Sequence, residues 1–252
     1  MFTNDVTKPN DKTIDAVISS AEFKRNAMAA RLNWLRAGVL GANDGIMSTS
    51  GLVLGVAASP GVSSATIFLA GTAAVVAGSI SMAGGEYTSV SAQKDSEKAA
   101  LAEERKELQI DPEGELRELA WFYEQKGMSP ELAIKVAEEL TKKDALKAHA
   151  EAELGIDSEH HVSPTQAALS SFIAFAAGGL LPLMAISGPW IEWRIQLTVA
   201  SVLLALILTG YVGSKLGGAK PTRGIIRNVF VSSLTMIVTY AIGLLVGTSV
   251  VH

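Results

Sequence analysis

Five apolar runs divide this chain, and each is long enough to cross a bilayer core, which takes about 20 helical residues. They are Ala37–Ala58, Ala65–Val90, Gln166–Ile186, Ile195–Leu216 and Ile225–Val251. Within these runs acidic residues occur at two positions, Asp44 and Glu86. Buried helices of a soluble protein are the alternative, but five such runs in 252 residues favour a membrane protein. The sequence predicts an all-α membrane protein with five transmembrane helices.

Basic residues cluster in alternate connections between the runs. Of the basic residues before the first run, four lie closest to it, and four surround the last connection: Lys24, Arg25, Arg31, Arg36, and Lys215, Lys220, Arg223, Arg227. The connection Ser59–Ser64 has no charge, and the one before Ile195 has Glu192 and Arg194. Because basic loops favour the cytosol, we expect the N-terminal segment 1–36 and the segment 91–161 on the cytosolic side. His252 then lies on the opposite face.

The termini and the cysteine count narrow the class of protein. The first thirty residues are polar and lack the apolar core of a secretory signal, so the first span is expected to stay in the mature protein. The chain has no cysteine, which excludes a disulfide framework and thiolate metal sites. Short termini without a targeting extension favour a prokaryotic plasma membrane, with a vacuolar membrane as the alternative.

Residues 91–161 form an acidic module between spans two and three. The module holds 18 of the 25 acidic residues and 10 of the 21 Lys and Arg, giving a formal charge of −8. The rest of the chain, residues 1–36, 37–90 and 162–252, carries +4. This distribution favours a cationic partner over nucleic acid or anionic lipid.

Local sequence predicts three helices in the acidic module. The first continues the second span, because no Pro or Gly occurs between Glu86 and Ile110. Asp111-Pro112 and Ser129-Pro130 have the pattern of an N-cap followed by proline in the first turn. Gly127 and Gly155 are expected to end the second and third helices, and a break is expected at Asp144. Apolar stripes on the last two helices predict that the three pack together.

Three residues near the cytosolic ends of the first two runs are candidate ligands inside the membrane. Met82 and Glu86 are four apart and share a helix face. Counted at 1.5 Å per residue, Asp44 and Met82 both lie roughly 10–12 Å from the cytosolic edge. Carboxylates with one thioether suit a borderline transition metal better than Mg²⁺ or Ca²⁺. The alternatives are a snorkelling Glu86, a packing Met82 and a structural hydrogen bond for Asp44.

Glycine and turn residues in the runs carry two further expectations. Asn43-Asp44-Gly45 predicts an irregular stretch of helix, which is tolerated where backbone lines a cavity. Glycine pairs four residues apart predict close helix packing, within or between subunits. They are Gly41 and Gly45, Gly51 and Gly55, and Gly213 and Gly217.

The acidic module offers three pairs of candidate ligands at helical spacing. They are Glu104 and Glu107, Glu115 and Glu118, and His149 and Glu153. Each pair shares a helix face, so antiparallel packing would gather five carboxylates and an imidazole into a multi-ion site for Fe²⁺, Mn²⁺, Co²⁺ or Zn²⁺. The alternative is a solvated charged surface, since Glu is common on helices. His160-His161 are expected to form a solvated hinge.

Three stretches resemble the vacuolar iron transporters: Arg36-Ala-Gly-Val-Leu-Gly-Ala-Asn-Asp-Gly45, Ser81-Met-Ala-Gly-Gly-Glu-Tyr-Thr-Ser-Val-Ser-Ala-Gln-Lys-Asp95 and Glu153-Leu-Gly-Ile156. The resemblance covers about residues 30–250. It implies five membrane helices per subunit, a homodimer, and exchange of cytosolic Fe²⁺ for protons. It also implies pore ligands and cytosolic ligands: Asp44, Met82 and Glu86 in the pore, and Glu104, Glu107, Glu115 and Glu118 in the module. The third-helix ligands fall on or near His149 and Glu153, where histidine replaces a methionine of some members.

Together these observations predict a proton-coupled divalent metal transporter that exports Fe²⁺, with Mn²⁺ as a second substrate. We expect no enzymatic activity and no permanently bound cofactor, with Zn²⁺ or Co²⁺ as other occupants of the cytosolic site. The expected partners are metal ions, protons, the bilayer and a second copy of the chain. A non-transporting metal sensor or buffer is one alternative. The other, a di-iron ferroxidase, would need Glu-x-x-His on two helices, but Leu146 and Asp157 stand three residues before His149 and His160.

Overall fold

A computed structural model describes residues 37–156 and 163–250, and these contain helices and turns but no strand. Residues 37–58 form α1. The following helices are α2 (Ser64–Ile110), α3 (Pro112–Gln125), α4 (Pro130–Ala152), α5 (Pro164–Ser187), α6 (Arg194–Leu216) and α7 (Pro221–Val250). A short 3-10 helix, Ile191–Trp193, precedes α6. The segment 1–36, the expected hinge at His160-His161, and His252 lie outside the described residues.

Four helices in the described part of the chain are long and apolar enough to cross a membrane. They are Ser64–Ile110, Pro164–Ser187, Ile191–Leu216 including its 3-10 turn, and Pro221–Ser249. The described part of the chain is all-helical, and the chain is therefore an integral, multi-pass membrane protein. Residues 37–58 are helical as well, and their crossing of the membrane as a fifth span stays a prediction.

The helix α2 runs without interruption for 47 residues. Its first part is apolar, and its last part carries Glu103, Glu104 and Glu107. The absence of Pro and Gly after Glu86 explains this continuity, because neither a missing donor nor a flexible backbone interrupts the ladder of hydrogen bonds. The prediction that one helix continues from the second span into the acidic module is confirmed.

The chain folds as two compact units. One comprises the described residues up to Glu86 and from Thr165 onward, which we call the apolar unit. The other spans Tyr87–Pro164, which we call the acidic unit. The core of the apolar unit is built from α1, α2, α5, α6 and α7, whose buried side chains form one cluster: Ile46, Val53, Leu54, Ala57, Ile67, Ile186, Val202, Leu206 and Met236.

Glycines bring α1 into close contact with two other helices of the apolar unit. A Cβ at Gly41 would lie 3.0 Å from the Ser171 carbonyl oxygen of α5. A Cβ at Gly55 would lie 3.0 Å from the Thr239 carbonyl oxygen of α7. These predicted small-residue contacts therefore occur within one chain. Because lipid supplies no hydrophobic driving force between helices, such close packing is a main source of their association.

The acidic unit has its own small core between α3 and α4. Leu119 and Ala120 of α3 pack with Ala133, Ala137 and Ala148 of α4. Three helix ends follow the predicted chemistry, whereas Ser129 precedes α4 without a side-chain cap. Asp111 caps α3 by accepting a hydrogen bond from the Gly114 amide at 2.9 Å, with Pro112 in the first turn. Gly127 and Gly155 have positive φ, as glycines that end helices commonly do.

Candidate metal sites

A cavity of about 470 Å³ in the apolar unit is bordered by α1, α2 and α5. Asp44, Ser48 and Leu52 of α1 line it, and their four-residue spacing places them on one helix face. Met82 and Glu86 of α2 line it as well. The other lining residues are Ala74, Gly78, Ser81 and Gly85 of α2 and Phe175 of α5. The three candidate ligands inside the membrane thus border a single space.

Packing on two sides of α1 fixes the direction of Asp44. A Cβ at Gly45 would collide with the Phe175 carbonyl oxygen and lie 3.0 Å from the Gly179 amide nitrogen, both in α5. Nearby, Thr209 Oγ1 of α6 donates a hydrogen bond to Asn43 Oδ1 at 2.5 Å. Consecutive helical residues point about 100° apart, at 3.6 residues per turn. With Asn43 and Gly45 held by α6 and α5, Asp44 is left facing the cavity.

The expected irregularity at Asn43-Asp44-Gly45 is wrong, because α1 is helical without interruption through residues 37–58. Both turn-forming residues serve packing instead: Gly45 permits the approach of α5, and Asn43 bonds to Thr209. An unbroken helix also keeps its backbone groups hydrogen-bonded in an apolar medium. Asp44 is thus presented by regular helix rather than by an opened turn.

In the acidic unit, His149 is the centre of a cluster of carboxylates. Its Nδ1 lies 2.9 Å from Glu104 Oε1, 3.5 Å from Glu153 Oε2 and 3.6 Å from Glu115 Oε2. His149 is fully buried, and Glu104 is 3% exposed. One ligand atom each from Glu104, Glu115 and His149 lies within 4.8 Å of the other two. Groups from α2, α3 and α4 are therefore close enough to surround one ion.

The cluster contains polar atoms that find no hydrogen bond within the described part of the chain. They are both ring nitrogens of His149, Glu104 Oε1 and Glu153 Oε2, and all four are buried. Nδ1 and the two carboxylate oxygens are polar neighbours of one another, and a buried polar atom without a hydrogen bond costs about 1–3 kcal/mol. Such a cluster is unfavourable as ordinary core, whereas a divalent cation would be coordinated by these same atoms.

Burial, and then the crowding of carboxylates, changes the titration of the cluster. The pKa of Glu104 is raised to about 7, first by burial and then by the charges of Glu153, Glu115, Glu107 and Glu118. The pKa of Glu115 is also raised, chiefly by burial, while the nearby His149 acts in the opposite direction. A bound cation would favour the ionised carboxylates and displace protons from them. A metal ion bound here would therefore compete with protons near neutral pH.

The structure separates the six predicted ligands of the acidic unit into two groups. Glu104, Glu115, Glu153 and His149 meet in the buried cluster. Glu107 and Glu118 are exposed and act on Glu104 through their charge. As metal ligands, these six residues and Asp44, Met82 and Glu86 all remain predictions.

Three residues in or near the cavity were not predicted from the sequence. Ser48 lies four residues after Asp44, so helical spacing from the carboxylate could have identified it. Phe175 borders the cavity from α5, and Thr209 holds Asn43 from α6. Both are distant in sequence from the residues they contact, and no local pattern pairs them.

Fold and geometry define a class: a multi-pass helical membrane protein with an acid-lined cavity in its apolar unit and a buried Glu–His cluster in its acidic unit. Within that class, the chain belongs to the VIT family, whose family model matches residues 35–244.

Individual relatives agree over most of their length. The "Vacuolar iron transporter" of Acanthamoeba castellanii is 42% identical over 228 residues, covering 89% of this chain and 83% of the relative. "Vacuolar iron transporter homolog 5" of Oryza sativa subsp. japonica is 32% identical over 244 residues, 96% and 94% of the two chains. "Vacuolar iron transporter homolog 4" of Arabidopsis thaliana is 34% identical, with 86% of each covered. The relatives are named as transporters, in line with the expectation of a protein that is not an enzyme.

Proposed function

We propose that this protein exports divalent metal from the cytosol across its membrane in exchange for protons, with Fe²⁺ as the main cargo and Mn²⁺ as a second one. The observation that carries the proposal is the buried cluster around His149, whose imidazole and carboxylates face one another and include buried polar atoms without a hydrogen bond in the described chain. The names of the relatives support iron as the cargo.

The ligand chemistry of the two sites supports a borderline transition metal. Carboxylates with one imidazole accept Fe²⁺, Mn²⁺, Co²⁺ or Zn²⁺, and the thioether of Met82 adds a soft donor beside Asp44 and Glu86. In our proposal the acidic unit captures the ion and the cavity receives it. Both sites require ionised carboxylates, so metal binding releases protons. Protonation of Asp44 or Glu86 from the far side would then release the metal.

The proposal includes an orientation and an assembly. The N-terminus and residues 91–161 face the cytosol, supported by the basic residues in alternate connections. Two copies form a homodimer with the cavity at its interface, an inference that rests on family resemblance. The membrane is the plasma membrane of a prokaryote or, alternatively, a vacuolar membrane.

The test is metal uptake by the purified protein in sealed proteoliposomes that contain a pH-sensitive dye. We expect Fe²⁺ entry to be coupled to proton movement in the opposite direction. Asp44→Ala should abolish both fluxes and still bind metal at the acidic unit. Glu192→Ala, which alters an exposed acidic residue of the apolar unit, is the matched control and should transport normally.

Two outcomes would reject parts of the proposal. Transport at the parent rate by folded Asp44→Ala protein would exclude a pathway through the cavity. Metal binding by the parent protein without any flux would favour the alternative, a membrane-anchored sensor or buffer, for which the buried cluster alone would suffice.

A further inference from the structure

Helix α4 is broken at Asp144. This residue has φ −166° and ψ 96°, an extended conformation inside an otherwise helical stretch. An extended residue changes the direction of the chain, so the residues after it do not continue the axis of those before it. The part of α4 that carries His149 is thereby a separate short helical segment, residues 145–152.

The side chain of Asp144 caps this second segment. Its Oδ1 accepts a hydrogen bond from the Lys147 amide at 3.0 Å, three residues later, which is the geometry of an N-cap. The first residue before α4 differs, because Ser129 makes no such side-chain bond. The cap inside α4 is therefore stronger than the one at its start.

The far end of the segment is closed as well. Gly155 has φ +63°, and the Ile156 amide donates to the Ala150 carbonyl oxygen at 2.8 Å. A glycine with positive φ commonly ends a helix, and this bond holds the chain after Gly155 against the last turn. Between the two closed ends, Ala148, His149 and Ala150 are buried. The segment is thus fixed at both ends, and its buried face carries the imidazole.

We propose that Asp144 is a positioning residue for the metal site: by ending the first half of α4 and capping the second, it directs His149 toward Glu104. The inference rests on the proposed metal-binding function of this cluster. Asp144 itself is exposed and touches none of the ligand groups in the described contacts. Asp144 would affect metal affinity by setting the orientation of residues 145–152, which carry His149. In Asp144→Ala the second segment loses its cap. Because alanine is the strongest helix former, the two halves of α4 would then tend to join into one continuous helix.

The experiment measures Co²⁺ binding to the full-length protein in detergent, by titration and by the visible absorption of the bound ion, which responds to an imidazole ligand. All samples carry Asp44→Ala so that the cavity contributes no acid from α1. The variants are Asp144→Ala, Asp144→Asn, His149→Ala and the double variant Asp144→Ala/His149→Ala. Ser129→Ala is the matched control, because it alters an N-cap position without a side-chain bond.

We expect Asp144→Ala to weaken Co²⁺ binding about 5- to 30-fold, the equilibrium equivalent of one lost cap. Its absorption should resemble that of His149→Ala. Asp144→Asn, which caps as well as Asp, should bind nearly as the parent does. Because Asp144 acts through His149, the double variant should bind no more weakly than His149→Ala.

If Asp144→Ala binds Co²⁺ with the same affinity and absorption as the protein that carries Asp44→Ala alone, this inference is overturned, while the proposed metal site stands. Additive losses in the double variant, with helical content unchanged by circular dichroism, would also overturn it. If the parent itself binds no Co²⁺ through an imidazole, the proposed site fails, and this inference fails with it.

Discussion

Glu104 Oε1 and His149 Nδ1 lie 2.9 Å apart, and both are buried atoms without a hydrogen bond in the described chain. Glu107 and Glu118 stand on the same helices as Glu104 and Glu115 but are exposed. Helical spacing alone predicts all four glutamates equally well as metal ligands. Burial separates them, because a carboxylate out of water is stabilised far more by a cation than a solvated one is.

This difference predicts unequal losses of metal binding. Replacing Glu104 and Glu115 together by Gln should reduce Fe²⁺ or Co²⁺ affinity by at least about 100-fold, as expected when two charged ligands of a partly desolvated ion are lost. Replacing Glu107 and Glu118 should cost about tenfold or less, since they act through charge. The measurement is calorimetry on the full-length protein, with Glu103→Gln/Glu113→Gln as the exposed control pair. Equal losses of affinity in the two test variants would mean that buried and exposed glutamates do not differ in metal binding. All four would then be residues of a solvated charged surface.

The titration of Glu104 leads to a second prediction at this scale. Its pKa is about 7 in the folded chain against an ordinary value of 4.5. Between these values the folded state binds more protons than the unfolded state, so this group's contribution to stability is present at low pH and is lost as the pH rises through 7. The metal-free protein should therefore lose more thermal stability between pH 5.5 and 7.5 than Glu104→Gln does. If the melting temperatures of the two proteins fall by the same amount over this pH range, the raised pKa of Glu104 is contradicted.

At the scale of helices, local chemistry explains what the sequence could predict. Asp111-Pro112 starts α3, Gly127 follows its end, and Asp144 interrupts α4, because each of these features depends on a few adjacent residues. Contacts between distant helices were out of reach. Gly45 carries a turn preference in isolation, and only the approach of α5 shows why a helix needs glycine there.

That contact gives a prediction for the helix pair α1 and α5. In Gly45→Ala the added methyl would meet the backbone of Phe175, which cannot rotate away as a side chain could. The helices must separate, at a cost of about 1–3 kcal/mol. We expect a clearly lower melting temperature in detergent and reduced transport. Gly84→Ala is the control: a Cβ there meets nothing within 4 Å, and alanine favours the helix. Equal stability of the two variants would argue against the tight α1–α5 crossing.

At the scale of the whole molecule, the charge asymmetry predicts the topology. The chain has no cysteine, so one introduced cysteine is the sole thiol. A cysteine at Gln125, exposed in the acidic unit, should resist a membrane-impermeant maleimide in intact cells and react after lysis. Ser63→Cys, exposed in the connection between α1 and α2, should react from outside. Efficient labelling at position 125 in intact cells would contradict the predicted orientation and, with it, the proposed direction of transport.

A metal ion bound at the buried cluster around His149 would also affect how long each molecule survives in a cell. A ligand that binds the folded state alone stabilises it by about 2.7 kcal/mol at 100 times its Kd. Proteases cut transiently opened chains in proportion to how often they open. With metal scarce, the acidic unit would open more often and be degraded sooner, and abundant metal would protect it. The copy number of the protein would then rise and fall with the supply of metal through turnover alone, before any change in synthesis.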